Sequence, residues 1–320
     1  MKILERFWQT IKSNPKKSIV LSLITGWLFG VQIYNAIYLE QGYARISGLL
    51  ESVDDLENST TSRELYEARY FAAMSAQAYR LPDLADSKTD KASCDLEKYL
   101  AEAGWRLLPT LSKIPTKPKG DKRDKAKFDG DLVFGIWQRE TPENMSQLAL
   151  VFRGTHTFGD WWSNARWFTK HLNLGWDQYD LTRTVTRYID EDLAKDHPEL
   201  FPSPISEIVV AGHSLAGGLA HQAGYAVQSV KRVYSFNGSS VTGFYSVPER
   251  DKHKIGMRIY RIGERGEFLS LLRNFMRLIY PVVERDPKIV EATYNFGSFG
   301  LISQHSIDDL ACKLFEAKSK

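Results

Sequence analysis

Two cysteines in 320 residues, Cys94 and Cys312, are too few for a disulfide framework or a cysteine-built zinc site. The pair can still join in an oxidising compartment or stand as two separate thiols. Charge of one sign is lacking as well. The 42 basic residues nearly balance the 39 acidic ones, leaving a net charge of +3, which argues against a polyanion-binding surface and so against nucleic acid as a partner. No internal repeat is visible. What is present is a globular composition, 43% hydrophobic and 25% charged, in a length that suits one large domain or two small ones.

One long apolar run breaks this pattern. Ser18 to Leu39, SIVLSLITGWLFGVQIYNAIYL, contains no charged residue, and about 20 mostly apolar residues are what a helix needs to cross a bilayer. Lys2, Arg6, Lys12, Lys16 and Lys17 precede it, whereas Glu40, Glu51, Asp54, Asp55 and Glu57 follow. The excess of Lys and Arg predicts a single-pass anchor with its N-terminus in the cytoplasm and the remaining chain on the extracytoplasmic side. The run is long for a cleaved signal peptide, and no small-x-small site follows it. The expected organisation is therefore a cytoplasmic N-terminus over 1–17, an anchor over 18–39, a polar linker over 40–60 and a folded domain over 61–320.

Within that domain, Thr61 and Glu64 have the spacing of a capping box, and Leu65, Ala68, Ala72, Ala76 and Tyr79 recur at helical spacing until Pro82. The segment KIPTKPKGDKRDKAK, 113–127, reads as an exposed loop. Strands are expected around Leu132–Ile136, at LALVF (148–152), IVVA (208–211), VYSF (233–236) and MRIYRI (257–262), with helices between them and at the C-terminal end. Such alternation predicts an α/β fold, a mainly parallel sheet with helices on both faces.

The stretch GHSLAGG, Gly212–Gly218, follows IVVA directly. Small residues around a serine at a strand-to-helix bend are what a sharp turn needs if it is to raise a nucleophile above the sheet. A serine hydroxyl is a weak nucleophile, so the reading requires a histidine to take its proton and an acid to orient that histidine. Of seven histidines, His213 adjoins the serine and is expected to point away, while His221 lies on the following helix. His305 stands just before the last helix, where Ser306 and Asp309 make a capping pattern. Glu264 and Glu267 follow strand 257–262, and the order serine, acid, histidine is that of an α/β-hydrolase.

These segments together resemble the class 3 lipase family, the fungal triacylglycerol lipase group of the α/β-hydrolases. GHSLAGGLA is similar to the family's GHSLGGALA, and VFRGTHTFGDWWSNARW to its FRGT or FRGS segment. IYRIGERGEFL resembles its strand leading to the acid, and HSIDDL its histidine before a helix. The resemblance runs in order over about residues 62 to 316. It implies Ser214 as nucleophile, His305 as general base and Glu267 at the acid position, a glutamate where the family has aspartate, with Glu264 in reserve. It further implies Leu215 and Thr155 as oxyanion donors, and Ala216 replaces the last glycine of G-x-S-x-G. Phe158, Trp161 and Trp162, with Trp167 and Phe168, fall where the family has a lid helix; packing in a core is the alternative. The expectation is a membrane-anchored serine hydrolase of acyl-lipid esters, lipase- or phospholipase-like, needing no metal or organic cofactor. A thioesterase using the same triad and a non-catalytic membrane-tethered scaffold are the competing readings.

Overall fold

The computed structural model describes residues 19, 22–30, 33, 43–47, 60–81, 93–108, 132–154, 178–239, 242–244, 247, 256–265, 288–296 and 305–317. Eight strands form one sheet: β1 (Tyr43–Ser47), β2 (Arg106–Leu107), β3 (Phe134–Glu140), β4 (Ser146–Phe152), β5 (Ile205–His213), β6 (Val230–Phe236), β7 (Arg258–Glu264) and β8 (Lys288–Tyr294). Their order is β1-β8-β7-β6-β5-β4-β3-β2. The six strands from β1 across to β4 run parallel, and β3 and β2 are antiparallel additions at one edge. The expected mainly parallel α/β architecture is therefore present.

Among the described residues six α-helices accompany the sheet: α1 (Thr60–Gln77), α2 (Leu96–Glu102), α3 (Gln178–Glu191), α4 (Leu193–Asp196), α5 (Leu215–Ala226) and α6 (Ile307–Glu316). Alternation along the central strands assigns them to two faces. Leu148, Leu150, Ile208 and Val210 pack with Leu181, Val185 and Ile189 of α3 and Leu219 and Ala223 of α5. Their neighbours Ala149, Val151, Val209 and Ala211 pack with Leu65, Phe71 and Met74 of α1 and Leu310 and Leu314 of α6. Near-continuous apolar runs are what a strand covered on both faces requires.

Several local expectations give way to tertiary contacts. Tyr43–Ser47, inside the stretch read as linker, is an edge strand paired with β8. The helix begins at Thr60, and Glu64 does not act as a capping side chain; it is buried and paired with Arg258 and Tyr260. Glu264 ends β7 rather than following it. Cys94 and Cys312 form a disulfide with Cα atoms 5.7 Å apart, joining the segment before α2 to α6. Residues 22–30, within the expected anchor, are helical and expose Leu23, Trp27 and Phe29. Among the described residues no helix is long and apolar enough to cross a membrane.

Candidate active site

Ser214 stands between the end of β5 and the start of α5 with φ 59° and ψ −125°. That is a left-handed, strained conformation for a residue with a Cβ. The turn is held from both sides: Ser214 N donates to Phe236 O at 3.0 Å, and Ser214 O accepts from Gly217 N and Ser239 N. A Cβ on Gly212 would lie 2.3 Å from Ala216 O and 2.9 Å from Ala216 Cβ. The two nearest atoms belong to the backbone of residue 216, so position 212 excludes a side chain whatever residue stands at 216. Gly217 is similarly forced, since its Cβ would meet Ser235 Oγ at 2.4 Å where α5 lies against β6.

His305 arrives at the same rim from the opposite end of the chain. Ser306 caps α6, its Oγ accepting from Asp309 N at 3.2 Å, which leaves His305 just outside the helix. Its ring centroid is 4.7 Å from that of His213, the residue before Ser214. His213 Nε2 lies 2.8 Å from the carbonyl oxygen of His305, and Nδ1 lies 3.0 Å from the Tyr79 hydroxyl. His305 is thus packed against His213, the residue that precedes Ser214. Burial, then the neighbouring His305, pushes His213 well below the usual histidine range despite its bond to the His305 carbonyl. Burial likewise raises the Tyr79 phenol, against the pull of Arg153. Both groups are held neutral.

Gly154, just past β4, forms the other wall. A Cβ there would lie 2.5 Å from Tyr79 Oη, 2.6 Å from His213 O and 3.4 Å from Ser214 Cβ. Gly154 therefore packs closely against the serine turn. Leu215 is the first residue of α5, so its N–H is one of those at a helix start that have no partner within the helix. Thr155, Phe158, Trp161, Trp162, Trp167, Phe168 and Glu267 lie outside the described residues.

Glu264 is buried at the carboxyl end of β7, with Oε1 3.8 Å from Lys313 Nζ on α6. Its backbone N–H is 3.4 Å from Asn237 Oδ1, and Asn237 itself, at φ 41°, follows β6. The four strand ends therefore present Gly154, Ser214, Asn237 and Glu264 along one edge, the position where parallel α/β sheets bind ligands. Among the described residues no group of three or more His, Cys, Asp or Glu has metal-site geometry.

Sequence reasoning missed Tyr79 and the inward role of His213. Tyr79 was legible only as the end of an apolar stripe, and it belongs to a 3-10 turn, Ala78–Arg80, whose Arg80 pairs with Asp308 of α6 at 2.6 Å.

No protein-family model matches the sequence. No curated protein matches it either. Among solved structures the chain is similar to an α/β hydrolase enzyme from a Medee basin deep-sea metagenome library, with 12% identity over 67% of this chain and 98% of that one, TM-score 0.31. A Pyrobaculum calidifontis esterase is 9% identical over 83% of this chain and 91% of its own, TM-score 0.33. An acylaminoacyl peptidase is 11% identical over 58% of this chain, TM-score 0.29, and the chain spans 38% of that protein's length.

Proposed function

We propose that this protein is a membrane-anchored serine hydrolase of the class 3 lipase type, cleaving carboxylic esters of acyl lipids. The observation that carries the reading is the strained bend at Ser214, with His305 packed against the adjoining His213. Strain of about 1–3 kcal/mol at one residue persists only where surrounding structure enforces it, and such strain concentrates at functional sites.

In this mechanism the His305 imidazole takes the Ser214 hydroxyl proton as the oxygen attacks the ester carbonyl. The tetrahedral oxyanion is met by the Leu215 N–H at the head of α5 and by Thr155. His305 then returns the proton to the departing alcohol, leaving an acyl-enzyme. A water molecule, deprotonated by the same imidazole, releases the fatty acid and restores Ser214. Glu267 orients His305 and stabilises its charged form. The chemistry requires no metal or organic cofactor.

The lipid part of the reading rests on the apolar segment 18–39 and on the aromatic stretch after Thr155. Tethering at a bilayer raises the enzyme's local concentration at a lipid substrate. The Cys94–Cys312 bond supports an extracytoplasmic domain, because the cytosol keeps thiols reduced. Full-length protein in detergent micelles, exposed to a fluorophosphonate probe, is expected to label once, with labelling lost in Ser214→Ala. A folded wild type that stays unlabelled refutes the hydrolase reading in favour of a scaffold. On a panel of phospholipid, monoacylglycerol, triacylglycerol and thioester substrates, oxygen esters should turn over fastest. Ser214→Ala and His305→Ala should each cost about 10⁴-fold or more in kcat, and Glu267→Ala less. Should Glu264→Ala prove the more damaging of the two acid substitutions, the acid is Glu264.

A further inference from the structure

We propose that His213 is the positioning residue of this site: held in one tautomer by Tyr79, it grips the backbone carbonyl of His305 and so fixes where that imidazole stands relative to Ser214. The inference rests on the hydrolase reading above and assigns work to two residues which that reading leaves idle.

The His305 carbonyl is the point of attachment. The α6 ladder starts one residue later, with Leu310 N donating to Ser306 O at 3.1 Å, so the carbonyl of His305 lies outside the helix and needs a donor from elsewhere. His213 Nε2, at 2.8 Å, supplies it. A carbonyl can only accept, so Nε2 carries the proton and the neutral ring is left with a bare Nδ1. Tyr79 Oη, 3.0 Å away, donates its proton to that nitrogen. Because burial keeps the phenol protonated, the direction of the whole chain is set: Tyr79 O–H to Nδ1, then Nε2–H to the carbonyl.

Further restraints on this region act on the helix. Ser306 caps it, Arg80 pairs with Asp308, and the disulfide reaches Cys312. His213 is different because it sits in β5, one bond from Ser214 and 5% exposed. Nucleophile and base are thereby referenced to the same rigid strand. A base displaced by about 1 Å can lose about 100-fold in rate, so this reference bears on kcat and not on substrate affinity.

The test uses full-length protein in detergent micelles hydrolysing p-nitrophenyl butyrate, with thermal unfolding recorded for each variant. Gln places its side-chain nitrogen where Nε2 of histidine stands, whereas Asn reaches only the Nδ1 position. His213→Gln keeps the donor to His305 and is expected within about threefold of wild-type kcat. His213→Asn and His213→Phe lose that donor and should fall about 10- to 100-fold in kcat with KM nearly constant. Tyr79→Phe, which frees the ring to adopt the other tautomer, should lie between them. If His213→Phe does not fold, the Gln and Asn variants still decide the matter: equal kcat in both overturns the inference, as does a loss expressed in KM alone. A reactive wild type whose Asn variant keeps full kcat overturns this inference and leaves the hydrolase reading intact. A wild type that neither turns over the ester nor labels with the fluorophosphonate overturns both.

Discussion

At the scale of single residues, the backbone of Ser214 makes a prediction separate from its chemistry. Its φ of 59° with ψ −125° disfavours any residue with a Cβ, at about 1–3 kcal/mol, whereas glycine adopts such angles freely. Both Ser214→Ala and Ser214→Gly remove the hydroxyl. Ser214→Gly should nevertheless be the more stable by about 1 kcal/mol after the greater unfolded-state entropy of glycine is counted, read as a higher urea midpoint. Coincident midpoints would mean the bend is relaxed. The complementary change, Gly212→Ala, forces a methyl into Ala216 and should cost about 1–3 kcal/mol as overpacking does. This bend was legible in the sequence because its small residues lie within Gly212–Gly218, although Phe236 and Ser239, which hold it, lie outside that stretch. The role of His213 was not, since its two partners are 134 and 92 residues away in the chain. A motif read locally shows only that the histidine adjoins the serine.

Elements were legible to the degree that both their faces are buried. LALVF in β4, IVVA in β5, VYSF in β6 and Ile259, Tyr260 and Ile262 in β7 are buried runs or positions of strand-forming residues, so these strands show in composition. β2 has two residues, too few for any period. β8 is interrupted by Glu291, whose charge is met across the sheet by Arg261 at 3.6 Å, a compensation that exists only after the strands pair. β1 pairs with β8, far along the chain, with Tyr43 in register with Ile289, a contact no local pattern displays. The last helix was legible as an amphipathic stripe, but its attachment was not. The Cys94–Cys312 bond closes a loop spanning 218 residues of sequence separation, and a cross-link over so long a loop restricts the unfolded chain strongly. Replacing both cysteines by alanine should lower stability by about 2–5 kcal/mol, seen as a reduced Tm; reductant added to the wild type should produce the same shift, and a Tm indifferent to both would contradict the bond. Since the bond anchors the helix that follows His305, turnover should fall with temperature earlier in the variant than in the wild type.

Over the whole molecule, the two ends of the sheet do different work. The carboxyl ends of the strands carry the candidate site, and the opposite edge carries a charged network that binds α1 to the sheet. Arg232, 7% exposed as a side chain, bonds Glu67 at 2.5 Å and Glu207 at 2.6 Å; Gln147 bonds Glu207 at 2.6 Å, and Arg139 reaches both Gln147 and Glu67. Beside it, Arg258 and Tyr260 converge on the buried Glu64. Burial by itself would raise the Glu207 carboxyl, but the hydrogen bonds and charge of Arg232, helped by Gln147, hold it below the usual range. A carboxyl depressed in the folded state contributes stability that is complete above its unfolded value, about 4.3, and disappears as pH falls through the lower folded value. Glu207→Gln leaves Arg232 with the Glu67 carboxylate and the Tyr234 hydroxyl, so at pH 7 the loss should be about 3 kcal/mol, the low end for breaking a buried pair. As pH drops below about 4 the wild type forfeits the same interaction by protonation, and the two proteins should converge. Urea unfolding of both at pH 7 and at about pH 3 measures this directly. A gap that stayed constant would place the titrating contribution elsewhere and reduce Glu207 to a neutral hydrogen-bond partner. Because this edge lies at the far end of the strands from Ser214, the variant should keep wild-type kcat wherever it remains folded, which separates the fold's electrostatic anchor from the chemistry it supports.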